Sequence, residues 1–192
     1  MNGKNDTPGF DVLFFNPFLR FSGAPLLITG LIAIILAAII GSFSDAQFNA
    51  VLNVQVIGLI KPPLYYLITL NILNWLISTL FFLVLGGILS KTKFRIIDIV
   101  STQAFARWPN IMAALAPLIM KVPGFGTTIT AVYIVQCSAY LCLSLMVALM
   151  YNSYKVSFDL KGGRLVASFI IGLFLAQTVS LVLTYNILQK IW

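Results

Sequence analysis

Long apolar stretches separated by short polar gaps run through the sequence and predict helices that cross a membrane. A bilayer core about 30 Å thick needs roughly 20 mostly apolar residues for each spanning helix. Five stretches approach that length, at residues 25–43, 64–89, 96–120, 127–151 and 165–188. We therefore predict an all-α polytopic bundle of about five spans, which forms one transmembrane domain over residues 25–192.

Residues 1–24 are predicted to be a short cytoplasmic tail followed by an aromatic segment at the membrane surface. Phenylalanines are dense between Phe10 and Phe21, and Pro17 interrupts any helix there. Aromatic side chains favour the headgroup region of a bilayer. The apolar stretch that follows is longer than the usual core of a cleaved signal peptide, so we expect it to remain as the first span.

The third apolar stretch is interrupted by polar residues and prolines, among them Trp108-Pro109 and Pro117. If residues 96–107 lay on the membrane surface, the remainder would reach only about 20 Å at 1.5 Å per residue. A tilted or broken span must then include part of the polar half. The sequence leaves open whether this stretch crosses fully, breaks or re-enters.

The longest gap, residues 44–63, is mildly apolar from Ala50 to Ile60. We expect an interfacial helix in this region. It should end before Pro62-Pro63, because proline removes a backbone donor and restricts the residue before it.

Basic residues cluster in alternate gaps, which predicts the orientation of the chain. With five spans, nine Lys and Arg residues fall on or near one side and three on the other. Because Lys and Arg are enriched on the cytoplasmic side, the N-terminus should be cytoplasmic and the C-terminus outside. The larger group is Lys4, Arg20, Lys91, Lys93, Arg95, Arg107, Lys155, Lys161 and Arg164, and the smaller is Lys61, Lys121 and Lys190.

Composition agrees with a membrane protein and removes most catalytic chemistry. Hydrophobic residues make up 60% of the chain and charged residues 9%, and the mean hydropathy is +1.00, outside the range of soluble domains. The net charge of +7 lies in the gaps rather than on one patch, so we expect no nucleic-acid partner. His and Glu are absent, which removes Ser–His pairs and the usual zinc sites. We expect no enzyme activity, no metal and no cofactor.

Both cysteines, Cys137 and Cys142, lie within the fourth stretch. Five residues apart, they point about 140° away from each other on a helix. A disulfide or redox pair is therefore not expected, and we expect both to be buried packing residues.

Small residues recur at every fourth position in the first and last stretches and predict faces where helices approach closely. Packing within the bundle explains such faces, and self-association of two copies through one of them is the alternative. The residues are Ala33, Ala37 and Gly41 in the first stretch, and Ser168, Gly172, Ala176 and Ser180 in the last.

Polar residues within the stretches form a second group of candidates. Asn71 and Asn74 lie with Ser78 on one face of the second stretch, and Gln177 lies with Ser180 and Thr184 in the last. Neutral polar side chains commonly bind membrane helices to one another. A solute pathway would use the same residue types, although neutral amides without buried acids hold an ion poorly.

Asp98, Gln103 and Arg107 are the polar candidates of the third stretch. Ionisable residues within a span are functional candidates. Nine residues apart, Asp98 and Arg107 would point to opposite faces of one straight helix. We expect both near the cytoplasmic boundary, where Arg107 would extend toward the headgroups and Asp98 would meet the basic residues 91–95.

Three stretches resemble the Yip family: the aromatic lead-in with Asn16-Pro17, the run Leu83-Val-Leu-Gly-Gly-Ile-Leu89 with Ser90 and Lys91-Thr-Lys-Phe94, and Tyr151-Asn-Ser-Tyr-Lys-Val-Ser157. The resemblance covers residues 10–188 and implies a small five-span membrane protein. Eukaryotic members interact with Rab-type GTPases and work in vesicle traffic through a long cytosolic N-terminal region. Here that region has only about two dozen residues and lacks the Asp-Leu-Tyr-Gly-Pro signature. The resemblance therefore implies a short, prokaryote-like member and assigns GTPase binding to no residue.

The combined expectation is a Yip-like integral protein of a bacterial cytoplasmic membrane. It would organise the membrane, or act in a trafficking-like way, through the lipid bilayer, other membrane proteins or a second copy. The alternative function is a small transporter or channel for a solute or ion. A water-filled interior lined by Asn71, Asn74, Asp98 and Gln177 would favour transport, and a dry bundle would favour organisation.

Overall fold

The computed structural model describes residues 18, 23–56, 62–90, 92–126 and 128–188. In these residues the chain forms six α-helices, a two-stranded antiparallel hairpin, a 3-10 helix and a π-helical turn. The α-helices are α1 (Ala24–Ser44), α2 (Leu64–Leu89), α3 (Ile96–Phe105), α4 (Pro109–Leu115), α5 (Ile129–Phe158) and α6 (Gly162–Leu183); the strands are β1 (Ala46–Ala50) and β2 (Asn53–Val56); the 3-10 helix is Ala116–Lys121 and the π-helical turn is Thr184–Leu188.

Four helices of the described residues are long and apolar enough to cross a membrane. They are α1, α2, α5 and α6, the last counted through Asn186. The protein is therefore a mostly helical membrane-type bundle.

The sequence at the helix ends explains where the long helices begin and end. Pro25 lies in the first turn of α1, where its missing N–H has no partner to lose. Asp45 adopts the left-handed conformation (φ 62°) and its N–H bonds to the carbonyl of Gly41, which ends α1. Helix α2 begins immediately after Pro63. At the start of α5, the Thr128 side chain accepts a hydrogen bond from the N–H of Ala131.

The third apolar stretch is a broken segment, formed by α3, α4 and the 3-10 helix. It runs beside α1 and in the same direction. A Cβ added to Gly30 would lie 2.5 Å from the backbone nitrogen of Phe105, Ala37 clusters with Ala113 farther along, and Lys121 pairs with Asp45 at the end. The broken segment therefore extends along most of α1.

The bundle has two distinguishable ends. Helices α3 and α6 begin at one end and α5 ends there. We call it the basic end, because Arg95, Lys161 and Arg164 lie at it. The opposite end, where α1 passes into β1, is called the hairpin end.

The hairpin replaces the interfacial helix that the sequence predicted. That prediction is wrong for residues 50–56, while residues 57–60 lie outside the described part. Ala46 pairs with Val56 and Ala50 with Asn53, with an irregularity between the two pairs. Most of β1 is buried, and Val51 in the turn belongs to the same core cluster as Phe82. The hairpin is thus folded back into the bundle.

The principal core lies where α2, α5 and α6 meet. The rings of Phe82 and Phe169 stack with centroids 5.2 Å apart, and Tyr154 lies against both. Of the predicted aromatic lead-in, only Phe18 is described; it is buried, with its ring edge-on to Phe105 at 6.3 Å. The remainder of that prediction lies outside the described residues.

Helix α5 leaves much of its surface uncovered near the hairpin end. Tyr133, Tyr140 and Leu141 are exposed there. Cys137 is also exposed and Cys142 is half-buried, and both are free thiols. The expectation that both cysteines are buried is therefore wrong, because this part of α5 has few neighbours to cover it.

Candidate functional site

Asn74 on α2 joins three elements inside the bundle. Its side chain is only 2% exposed. The Asn74 amide nitrogen donates to the carbonyl of Phe48 on β1 at 2.8 Å, and the Ser180 hydroxyl on α6 donates to the Asn74 side-chain oxygen. Asn71 is buried one turn earlier on the same helix.

The polar face of α6 and of the π-helical turn that continues it binds the hairpin. Gln177 accepts a hydrogen bond from the backbone N–H of Leu52 at 2.8 Å, and the Thr184 hydroxyl donates to the carbonyl of Asn49 at 2.7 Å. A two-stranded hairpin has open edges, and buried backbone groups need partners when no sheet or water supplies them. Together with Asn74, this face supplies partners to three backbone groups of the hairpin.

Arg107 lies just after α3, in the turn that separates it from α4. It is 2% exposed, and its Nη2 donates to the carbonyl of Asn74 at 2.8 Å and to the Ser78 hydroxyl at 2.7 Å. No carboxylate in the described part of the chain forms an ion pair with it. The predicted extension toward the headgroups is therefore wrong, because the break after α3 directs the side chain inward.

Several polar atoms around the helix break are buried without a hydrogen-bond partner among the described residues. They include Arg107 Nε, Thr79 Oγ1, Asn110 Oδ1 and Trp75 Nε1. An unpaired buried group of this kind costs about 1–3 kcal/mol. The sequence pattern did not indicate Trp75, Thr79 or Asn110 as candidates. Thr79 adjoins Ser78, however, and Asn110 follows Pro109 at the break.

Gln103 forms a second buried link, between α3 and α5. It is 0% exposed, and its side-chain nitrogen donates to the Met150 carbonyl at 3.2 Å and to the Ser153 hydroxyl at 3.0 Å. The Ser153 hydroxyl donates in turn to Thr102 Oγ1 at 2.6 Å. This network attaches the first half of the broken segment to the neighbouring long helix.

Asp98 lies in the first turn of α3. One of its carboxylate oxygens is buried without a hydrogen bond, and no ion pair joins Asp98 to Lys93 or Arg95. The predicted contact with the basic residues is wrong for these two, and Lys91 lies outside the described residues.

Both predicted small-residue faces lie against neighbours within the chain. Ala33, Ala37 and Gly41 are buried on α1, and a Cβ on Gly41 would lie 2.6 Å from the Ala46 carbonyl oxygen. Ser168, Gly172, Ala176 and Ser180 are buried on α6, and a Cβ on Gly172 would lie 3.0 Å from the Phe82 ring. A second copy could use either face only if the bundle opened.

The turn that follows α2 meets the end of α5 at the basic end. The Ser90 hydroxyl donates to the carbonyl of Phe158 at 3.1 Å, and the rings of Phe94 and Phe158 are 4.7 Å apart.

Among the described residues, no group of three or more His, Cys, Asp or Glu is placed to hold a metal ion. No protein-family model, curated protein or solved structure matches the chain.

Proposed function

We propose that the chain is a Yip-like five-span protein of a bacterial cytoplasmic membrane, which organises that membrane by binding lipid or protein and performs no catalysis. The proposal rests on one observation: polar side chains in the interior form hydrogen bonds to other parts of the same chain. Asn74 and Gln177, two candidates for lining a solute path, hold the hairpin backbone instead.

The path of the broken segment supports the five-span topology. Its contacts with α1 progress from Gly30 through Ala37 to Asp45, so it covers about the distance that α1 covers. In the proposed topology, this segment is a fifth crossing beside the four long apolar helices. The basic end would then face the cytoplasm.

The packing of the hairpin supports organisation over transport. A path along Asn74 and Gln177 would require the hairpin to leave its place, with loss of at least two hydrogen bonds to buried backbone groups. Lost partners for such groups are costly away from water. The hairpin therefore occupies the space beside Asn74 and Gln177 in this structure.

The test uses the full chain purified in mild detergent and reconstituted in liposomes with entrapped ions and solutes. We expect solute efflux equal to that of protein-free liposomes, and lipids or proteins that copurify above the level of an unrelated tagged membrane protein. Efflux above background together with no enriched lipid or protein would contradict the proposal.

Arg107 favours a second candidate, a small transporter or channel for an anion. Its guanidinium is buried with an unpaired Nε, and in-span charges commonly mark ion pathways. In this alternative the hairpin would act as a movable plug over the Arg107 region. Anion efflux that depends on Arg107 would favour it.

A further inference from the structure

A cavity of about 340 Å³ opens at the basic end, apart from the polar network around Arg107. It lies between the turn that follows α2 and the turn that joins α5 to α6. Its lining residues are Leu89, Thr92, Asp159, Leu160, Lys161 and Arg164.

The two turns are held together before any ligand binds. The Ser90 hydroxyl donates to the Phe158 carbonyl and accepts from the N–H of Thr92 at 3.2 Å, so one side chain joins both walls. The Phe158 ring packs on Phe94 and fills the space beside Gly86, where no Cβ would fit. A preformed cavity loses little conformational entropy on binding.

The charges of the cavity favour an anion. Lys161 and Arg164 are both cationic. Asp159, the one acid among the described lining residues, lies 3.7 Å from Lys161 in a pair that is largely exposed. Such exposed pairs are weak. Arg164 has no ion pair with any described residue, and α6 begins at this cavity without a side-chain cap, so its positive end adds to the field.

The cavity is also partly apolar. Leu89 belongs to the end of α2, and the buried Leu160 lies beside Lys161. A site that combines cations with apolar walls at the end of spanning helices fits a lipid headgroup better than a free ion, and basic pockets of this kind bind anionic headgroups.

We propose that this cavity binds the phosphate group of an anionic phospholipid in the cytoplasmic leaflet, with Lys161 and Arg164 as the binding residues. The choice of leaflet rests on the proposed topology. The binding itself is measured in detergent, where orientation has no effect, so a wrong topology and a wrong binding site give different results.

The experiment compares the full chain with two double variants of equal charge change. Lys161→Gln with Arg164→Gln removes the cations of the cavity. Lys93→Gln with Lys155→Gln removes two exposed cations from the same end that do not line it. Native mass spectrometry counts bound phosphatidylglycerol and phosphatidylcholine, and thermal unfolding is followed with each lipid and with inorganic phosphate alone.

The unmodified chain should retain phosphatidylglycerol over phosphatidylcholine, and the cavity variant should lose roughly fivefold in binding for each cation removed. The control variant should keep most of its binding, and all three chains should unfold at similar temperatures in phosphatidylcholine. Equal retention of both lipids, an equal loss in the control, or equal stabilisation by inorganic phosphate alone would overturn the proposal. If the cavity variant unfolds earlier than the unmodified chain in phosphatidylcholine, Arg164→Gln alone is used instead. Its ratio of bound phosphatidylglycerol to bound phosphatidylcholine is then compared with that of the unmodified chain.

Discussion

Lys121 forms an ion pair with Asp45 at 2.8 Å and also donates to the carbonyl of Phe43. Asp45 ends α1, and Lys121 ends the 3-10 helix of the broken segment. Two segments that lie far apart in sequence thus end at the same level of the bundle. A segment that turned back halfway would not bring Lys121 to this position.

The first prediction concerns the sides of the membrane on which two turns lie. In a background with Cys137→Ser and Cys142→Ser, Thr92→Cys should react with an impermeant maleimide only from the cytoplasm, and Val122→Cys only from outside. Both residues are exposed and lie in turns between helices. Reaction of both cysteines from the same side would contradict a complete crossing by residues 96–121.

The second prediction is that Gly172→Leu destabilises the bundle. A Cβ at Gly172 would already lie 3.0 Å from Phe82 and 3.1 Å from Leu85, and overpacking of this kind costs roughly 1–3 kcal/mol. The thermal unfolding temperature in detergent should therefore fall. Gly163→Leu, on the same helix and with nothing within 4 Å of its added Cβ, is the control and should unfold near the unmodified temperature. Equal unfolding temperatures for the two variants would contradict close packing of Gly172 against Phe82 and Leu85.

The third prediction is that Gln177 keeps the hairpin in place. Gln177→Leu preserves much of the side-chain volume but removes the acceptor for the Leu52 N–H, which costs about 1–3 kcal/mol locally. Hydrogen exchange should become faster in residues 46–56 and stay unchanged in α2. Asn186→Leu is the control, because the Asn186 side chain bonds within its own helix to the Val182 carbonyl. Unchanged exchange in the hairpin would show that Gln177 does not hold it.

The hairpin is the part of the fold that the sequence pattern did not predict. Its turn, Val51-Leu52, has no glycine or Asn-Gly pair, which are the usual signals of a two-residue hairpin turn. The β-branched Val51, Val54 and Val56 offered a weak signal for strands. The stronger contributions are tertiary, since Gln177 and Asn74 supply hydrogen bonds from distant helices.

Helix ends and close-packing positions were more accessible to prediction than side-chain directions in the broken segment. Pro62-Pro63 correctly placed the start of α2, because the chemistry of proline is local. The extension of Arg107 toward the headgroups was predicted from an expected place near the membrane boundary, whereas Arg107 lies in the turn Ala106–Trp108 and is buried against α2. Local sequence signals the break but does not say where the chain turns after it.

The last prediction concerns the buried charge of Arg107. Its two acceptors keep other partners when the guanidinium is removed: the Ser78 hydroxyl still donates to Trp75, and the Asn74 carbonyl remains within α2. Desolvation of a buried charge is costly, and apolar replacements of similar volume are often neutral or stabilising. Arg107→Met should therefore unfold at or above the unmodified temperature, whereas Arg107→Ala should unfold earlier because it leaves a cavity.

The Arg107→Met variant also distinguishes a structural role of the Arg107 charge from a role in anion transport. If Arg107 only joins the helix break to α2, chloride efflux from proteoliposomes under an imposed potential should match the protein-free background for the unmodified chain and for Arg107→Met. Asp98→Asn, which changes a second ionisable residue of α3 and the turn after it, should give the same background. Chloride efflux that is present in the unmodified chain, lost in a stably folded Arg107→Met and retained in Asp98→Asn would reject membrane organisation as the sole function. That result would instead make Arg107 the anion site of a transporter, because the variant would have lost the charge while keeping the fold.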